Sequence, residues 1–184
     1  VVGAGNLIRG ARSPWLDRIE ADTMGMLATV LNALALQSYL VSLGKDVLIQ
    51  SAVDTQLTHS VSPRKAQAAL ADGTIVIFAG GTGSPLVTTD TAAAIRAVSI
   101  EADLLIKGSN VAGVYDGDPS QDSSAKLIHE LTYDEFLAQR YGVMDQVAVE
   151  ICREHGMPIE VFHLERAEAL ASIADGLKVG TRIQ

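Results

Sequence analysis

Short β-branched and apolar runs alternate along this chain with longer stretches whose apolar positions recur at helical spacing. Residues 46–52 (DVLIQSA), 73–80 (GTIVIFAG), 102–108 (ADLLIKG) and 158–164 (PIEVFHL) are continuous apolar runs of strand length. Runs of that kind suit strands buried on both faces, the mark of a parallel sheet. Residues 23–43 carry Leu27, Val30, Leu31, Leu34 and Tyr39 at helical spacing and stop at Gly44, which predicts a long helix. Further helices are predicted over 62–71, which opens Ser-Pro, and over 89–100, which follows a Thr-Thr-Asp start suited to an N-cap. Residues 134–139 and 144–155 complete the set, the latter closed by Gly156 and Pro158. Residues 115–127, rich in Asp, Ser and Gly, read as loop. Strand–helix–strand alternation of this sort implies a three-layer α/β domain.

Composition narrows the partners more than the fold. A chain of 184 residues fits one domain, and chains near that size bury about 70% of their unfolded surface. Apolar residues at 48% against 20% charged exclude a disordered chain. Fourteen basic residues face 22 acidic ones, a net charge of −8, which argues against a bulk nucleic-acid binder while allowing a local basic pocket. Cys152 is the one cysteine and cannot form an internal disulfide, so nothing points to an oxidising compartment. No continuous apolar run approaches the roughly 18–20 residues of a membrane span. The opening VVGAGN lacks a signal-peptide shape and reads as the end of a buried strand entering a glycine loop. The expectation is that an N-terminal part precedes it.

Candidate chemistry gathers at three glycine-rich strand ends, where ligands bind in doubly wound sheets. The first is Gly3-Ala4-Gly5-Asn6, followed by Arg9; the second is Gly80-Gly81-Thr82-Gly83-Ser84-Pro85, leading to Thr88-Thr89-Asp90. The third is Lys107-Gly108-Ser109-Asn110, leading to Tyr115 and Asp118. Glycine lets backbone N–H groups converge on an anion, and a helix N-terminus adds partial positive charge. Any one loop reads equally well as a tight turn; three at one sheet edge, two with a cation nearby, favour phosphate. A dinucleotide fingerprint fails because Ile8 occupies its third glycine position, and Asp22 precedes a long helix rather than ending a second strand. No P-loop, nucleophile elbow or histidine metal motif is present. Cys152 reads as a small core residue.

The segments GAGN-L-I-R-G, AD-T-MGMLATVLNALAL, GGTGSPLVTTD, EADLLIKGSNVAGVYDGDP and GVMD stand in the order and spacing of bacterial uridylate kinases. The chain resembles these members of the amino-acid kinase family over essentially its whole length. The resemblance implies a three-layer α/β/α sandwich with a mainly parallel twisted sheet, like that of carbamate kinase. It also implies transfer of the ATP γ-phosphoryl group to UMP, with Mg²⁺ sharing charge neutralisation, in pyrimidine nucleotide biosynthesis in the cytoplasm. By position it assigns Ala4, Asp22, Thr82, Gly83, Ser84, Pro85, Leu86, Val87, Thr88 and Thr89 to UMP, and Gly5, Arg9, Ser109, Tyr115 and Asp118 to ATP. Arg9, Lys107 and Asp145 are the expected catalytic residues, with no dedicated protein metal ligands. Asp90 and Asp145 read equally well as residues that orient water around the metal and as helix caps. Three departures stand out. Ala4 replaces a family glycine and requires a negative φ; Ser109, Asn110 and Ala112 replace a commoner Thr-Lys-Val-Asp pattern; and the family's N-terminal strand with its K-x-S-G-E loop is missing from the single domain 1–184.

Two other readings stay open: a kinase of the same fold acting on carbamate or a carboxylate, and a non-catalytic nucleotide-binding or storage protein. The helix over 23–43 carries more apolar surface than one buried stripe requires, with Met24, Met26, Leu27, Val30, Leu31, Leu34, Leu36, Leu40 and Val41 spread around it. The excess predicts a two-fold contact between copies, which the resemblance extends to a hexamer, a trimer of dimers. Aspartate at Leu34 is expected to split that contact unless Leu34 faces its own sheet.

Overall fold

The computed structural model describes residues 1–8, 15–117, 119, 121, 122, 124–166 and 168–184. The chain forms two compact units, Val1–Ile100 and Glu101–Gln184.

The first unit is built on three parallel strands. β1 (Val47–Ser51) lies between β2 (His59–Ser60) and β3 (Ile75–Ala79). β1 and β3 run in register from Val47↔Ile75 to Ser51↔Ala79. The Val2 N–H donates to the Phe78 carbonyl at 3.1 Å, so the segment before the first glycine loop lies beside β3. Three helices accompany the strands: α1 (Arg18–Ser42), α2 (Pro63–Ala71) and α3 (Thr89–Ser99). α1 packs on β1 and β3 through a core of Val30, Ala33, Ile49, Ile77 and Ala79, with Val2, Leu34, Leu40 and Val47 against it.

α1 begins five residues before the expected start (18 against 23) because Asp17 caps it, its carboxylate accepting from the Ile19 N–H at 2.9 Å. Asp22 therefore sits inside the helix and not ahead of it. Leu34 packs on its own sheet, so it is the wrong place to probe a contact between copies. Leu27 and Leu31, 49% and 61% exposed, face away from the core. By length and composition α1 is also apolar enough to cross a membrane, against the expectation from continuous runs. Alanine and leucine on every side of the helix raise its mean hydropathy although no long unbroken apolar run exists. One side of it is committed to the sheet.

The second unit holds β4 (Leu105–Ser109), β5 (Val114–Tyr115), β6 (Leu127–Ile128), β7 (Glu130–Leu131), α4 (Tyr133–Gln139), α5 (Gln146–His155), β8 (Ile159–His163), α6 (Ala169–Ala174) and β9 (Thr181–Ile183). Its main sheet runs β4-β8-β9-β7, with β4 parallel to β8, β7 parallel to β9, and only β8–β9 antiparallel. β5 and β6 form a separate hairpin pair. Among the described residues β3 and β4 belong to different hydrogen-bonded sheets. Glu160 organises this sheet from within. Fully buried on β8, it accepts from the Val179 and Gly180 N–H groups at 3.1 and 3.2 Å and from Arg182 Nε at 2.6 Å. That anchors β9, which the sequence pattern did not predict. Cys152 is fully buried on α5, and burial pushes its thiol up to about 11, so it is a core residue as expected.

Candidate active site

The residues that the resemblance assigns to UMP all fall in the first unit. β3 ends in a glycine turn that only glycine satisfies. Gly80 has φ +76°, and a Cβ there would stand 2.7 Å from the Val53 nitrogen; Gly83 has φ +85°, with a Cβ 3.1 Å from the Ala52 carbonyl oxygen. The Gly83 N–H closes the turn on the Gly80 carbonyl at 3.0 Å. Beyond it, the Thr82 hydroxyl accepts from the Ser84 N–H at 3.2 Å. Thr88 caps α3, its hydroxyl accepting from the Thr91 N–H at 3.2 Å, so the helix N-terminus opens directly from the loop. Pro85 lies between, half-buried, and Val87 is exposed.

Leu86 is the unusual residue of this loop. It is 62% exposed and adopts φ +68°, a left-handed conformation that costs a leucine about 1–2 kcal/mol. Its N–H donates to Asp22 Oδ2 at 2.9 Å, and Arg18 Nε donates to the same oxygen at 2.9 Å. The loop and α1 are thus tied through the carboxylate that the sequence singled out.

The first glycine loop lies in the same unit. Ala4 is buried and is not among the described non-glycine residues at positive φ, as a methyl there requires. Its carbonyl accepts from the Leu7 and Ile8 N–H groups, both at 2.9 Å, which makes the turn that exposes Gly5. A Cβ at Gly3 would stand 3.8 Å from Thr89 Oγ1, so the two glycine loops are neighbours. Arg9 lies outside the described residues.

Three residues that the sequence reading passed over hold these loops. Thr29, buried on α1, accepts the Gly80 N–H at 2.6 Å and donates to the Met26 carbonyl at 2.6 Å. Asn32 donates to the Gly3 carbonyl at 2.7 Å and to Asn6 Oδ1 at 2.8 Å. Arg96, on α3, donates to the Gly81 carbonyl at 3.3 Å, and its guanidinium carbon lies 5.9 Å from the centre of the Phe78 ring. Burial lowers its pKa. The available signal was polar residues seven and ten places after Asp22 (Thr29 and Asn32) within the otherwise apolar stretch 24–36 of the helix.

The second unit carries the other assigned residues. Lys107 and Ser109 lie on β4, opposite Val161 and His163 of β8. The Ser109 carbonyl accepts from the Leu164 N–H at 2.8 Å. Tyr115 ends β5 opposite Leu127. Asp145 caps α5, accepting from the Val147 N–H at 3.3 Å, so one of its two weighed roles, the helix cap, is present. Asp118 lies outside the described residues. Among the described residues no three His, Cys, Asp or Glu side chains gather to hold a metal.

A glycine turn at the carboxyl end of a parallel strand, opening onto a capped helix N-terminus, is an arrangement by which α/β domains bind phosphate. The comparisons then specify it. The chain belongs to the amino acid kinase family, which it matches over residues 1–163. It is 45% identical over 187 residues to a uridylate kinase of Stutzerimonas stutzeri, covering 100% of this chain and 76% of that protein. It is 46% identical over 184 residues to a uridylate kinase of Methylococcus capsulatus, covering 98% and 77%. Among solved structures, the UMP kinase of Bacillus anthracis superposes with a TM-score of 0.96 at 35% identity, covering 100% of this chain and 78% of that one. The UMP kinase of Ureaplasma parvum gives 0.93 at 34%, covering 100% and 80%. The chain therefore has the amino-acid kinase fold.

Proposed function

We propose that this protein is a UMP kinase, converting ATP and UMP to ADP and UDP. The observation that carries the reading is identity of 45–46% to uridylate kinases across essentially the whole chain. The joined loops of the first unit supply a physical counterpart. Asp22, which already accepts two N–H donors, is a ready acceptor for sugar hydroxyls. The turn of Thr82 to Thr89, with Ala4, offers backbone groups for a nucleotide's base and phosphate.

On the donor side, Gly5, Ser109, Tyr115 and Asp118 would hold ATP. Arg9 supplies a planar fork for phosphate oxygens and Lys107 a point charge for the group in transfer. Phosphoryl transfer asks little covalent chemistry of the protein: in-line positioning and neutralised charge are the main needs. Mg²⁺ enters with ATP as part of the substrate. The cap that Asp145 makes on α5 would hold its carboxylate in a fixed direction.

The protein works in the cytoplasm as a homo-oligomer, a hexamer assembled from dimers, in this reading. The exposed Leu27 and Leu31 of α1 support a contact between copies. An ADP-release assay with UMP, CMP, dCMP and acetylglutamate as acceptors tests the function. UMP should be strongly preferred, because a site built for the uracil edge leaves polar groups unpaired against cytosine. Equal turnover of UMP and CMP, or preference for a carboxylate, rejects the assignment.

A further inference from the structure

The glycine turn after β3 is gripped on both sides by side chains that no motif assigns. From α1, the buried Thr29 hydroxyl takes the Gly80 N–H at 2.6 Å. From α3, Arg96 reaches the Gly81 carbonyl at 3.3 Å. The Gly80 carbonyl between them is taken by the Gly83 N–H at 3.0 Å. Both glycines are at positive φ, where the backbone has many alternatives, so it is these bonds that select one direction for the peptide planes. Arg96 holds its place at a cost: its Nε is buried and has no hydrogen-bond partner. Its guanidinium is held within cation–π distance of Phe78, under the turn that leads into residues 82–89. A residue serving only to fill space would need no charge there.

We propose that Thr29 and Arg96 are positioning residues that clamp the Gly80–Gly81 peptides from two helices and so set the acceptor loop for UMP. The inference rests on the reading of that loop as the UMP site. It differs from the direct contacts assigned to residues 82–89, since neither side chain needs to touch the nucleotide. The clamp acts on the acceptor alone, so its loss raises the KM for UMP while leaving that for ATP.

The test uses Thr29→Val, which keeps shape and loses both hydrogen bonds, with Thr29→Ser as the conservative control. Arg96→Met keeps the apolar stem and loses the donors. For the intact protein, steady-state constants for UMP and ATP are measured beside calorimetric UMP binding and melting temperature. Thr29→Val and Arg96→Met should each raise the UMP KM and Kd at least five-fold, with the ATP KM within two-fold of wild type. Thr29→Ser should stay within three-fold for both. The double variant should be no more than about two-fold worse than the weaker single one, since both act on one turn. Folded variants with an unchanged UMP KM, equal shifts for UMP and ATP, or a failure of both variants to fold would assign the pair a purely structural role and overturn the proposal. Wild-type protein that does not phosphorylate UMP rejects the functional reading instead, a separate result.

Discussion

Replacing Asp22 with alanine tests how the loop of Thr82 to Thr89 is held. Its Oδ2 accepts from Leu86 N–H and Arg18 Nε, each at 2.9 Å. The Arg18 side chain is 56% exposed, so that i,i+4 pair contributes only about 0.3–0.5 kcal/mol. A backbone N–H on a carboxylate is worth about 1.5–3 kcal/mol, and the lower end applies because the Asp22 side chain is 19% exposed. Against this loss of about 2 kcal/mol stands the left-handed Leu86, whose release recovers about 1–2 kcal/mol. The net cost is about 0–1 kcal/mol, a melting shift of no more than about 4 °C for a chain of this length. Leu86→Gly separates the two contributions. In the wild-type background it relieves the strain and costs about 0.5–1 kcal/mol of chain entropy, so it is neutral or stabilising. In the Asp22→Ala background only the entropy cost remains, and the same change destabilises. Denaturant unfolding of the four proteins should give a coupling of about 1–2 kcal/mol. Additive effects, or a loss above about 3 kcal/mol for Asp22→Ala alone, would refute the reasoning.

Glu160→Ala should be far more damaging, about 3–5 kcal/mol, since it strands Arg182 and two backbone N–H groups around a buried site; a loss under about 1 kcal/mol by urea unfolding would contradict that account. Cys152, held up to about 11 by burial, should resist an aromatic disulfide reagent at pH 8 in the folded protein and react once unfolded. Its folded pKa lies above the unfolded value of about 8.5, so its contribution to stability is complete below that pH and is lost as the pH rises towards about 11. Reaction at the folded and unfolded rates alike would remove this reading. Leu31→Asp, on the outward face of α1, should halve or further reduce the native mass by light scattering while preserving the melting of the chain; an unchanged oligomer would place the contact elsewhere.

The strands and helices that carry the fold were legible because their signals are local. Continuous apolar runs gave β1, β3, β4 and β8, while Ser62 and Thr88 marked helix starts that their side chains do cap. α1 was misplaced at its start because Asp17 lies outside the apolar periodicity on which its range was drawn. β9 is short and owes its place to Glu160 and Arg182, a pairing across the sheet with no signature in sequence spacing. The same holds at the site. Asp22 and the loop of Thr82 to Thr89 stood out as motif residues, and the structure joins them through the Leu86 N–H. Thr29, Asn32 and Arg96 did not, because a helix residue bonding to a distant backbone group leaves no local pattern. Their partners lie 51, 29 and 15 residues away.

Phosphorus NMR of the intact protein with ATP and UMP tests the central claim most directly, because it identifies both products without a coupling enzyme. The account predicts UDP β-phosphorus signal growing in equal proportion to ADP, with none formed when UMP is omitted. ADP accumulating with inorganic phosphate and no UDP, or no turnover while UMP and ATP both bind, would contradict it.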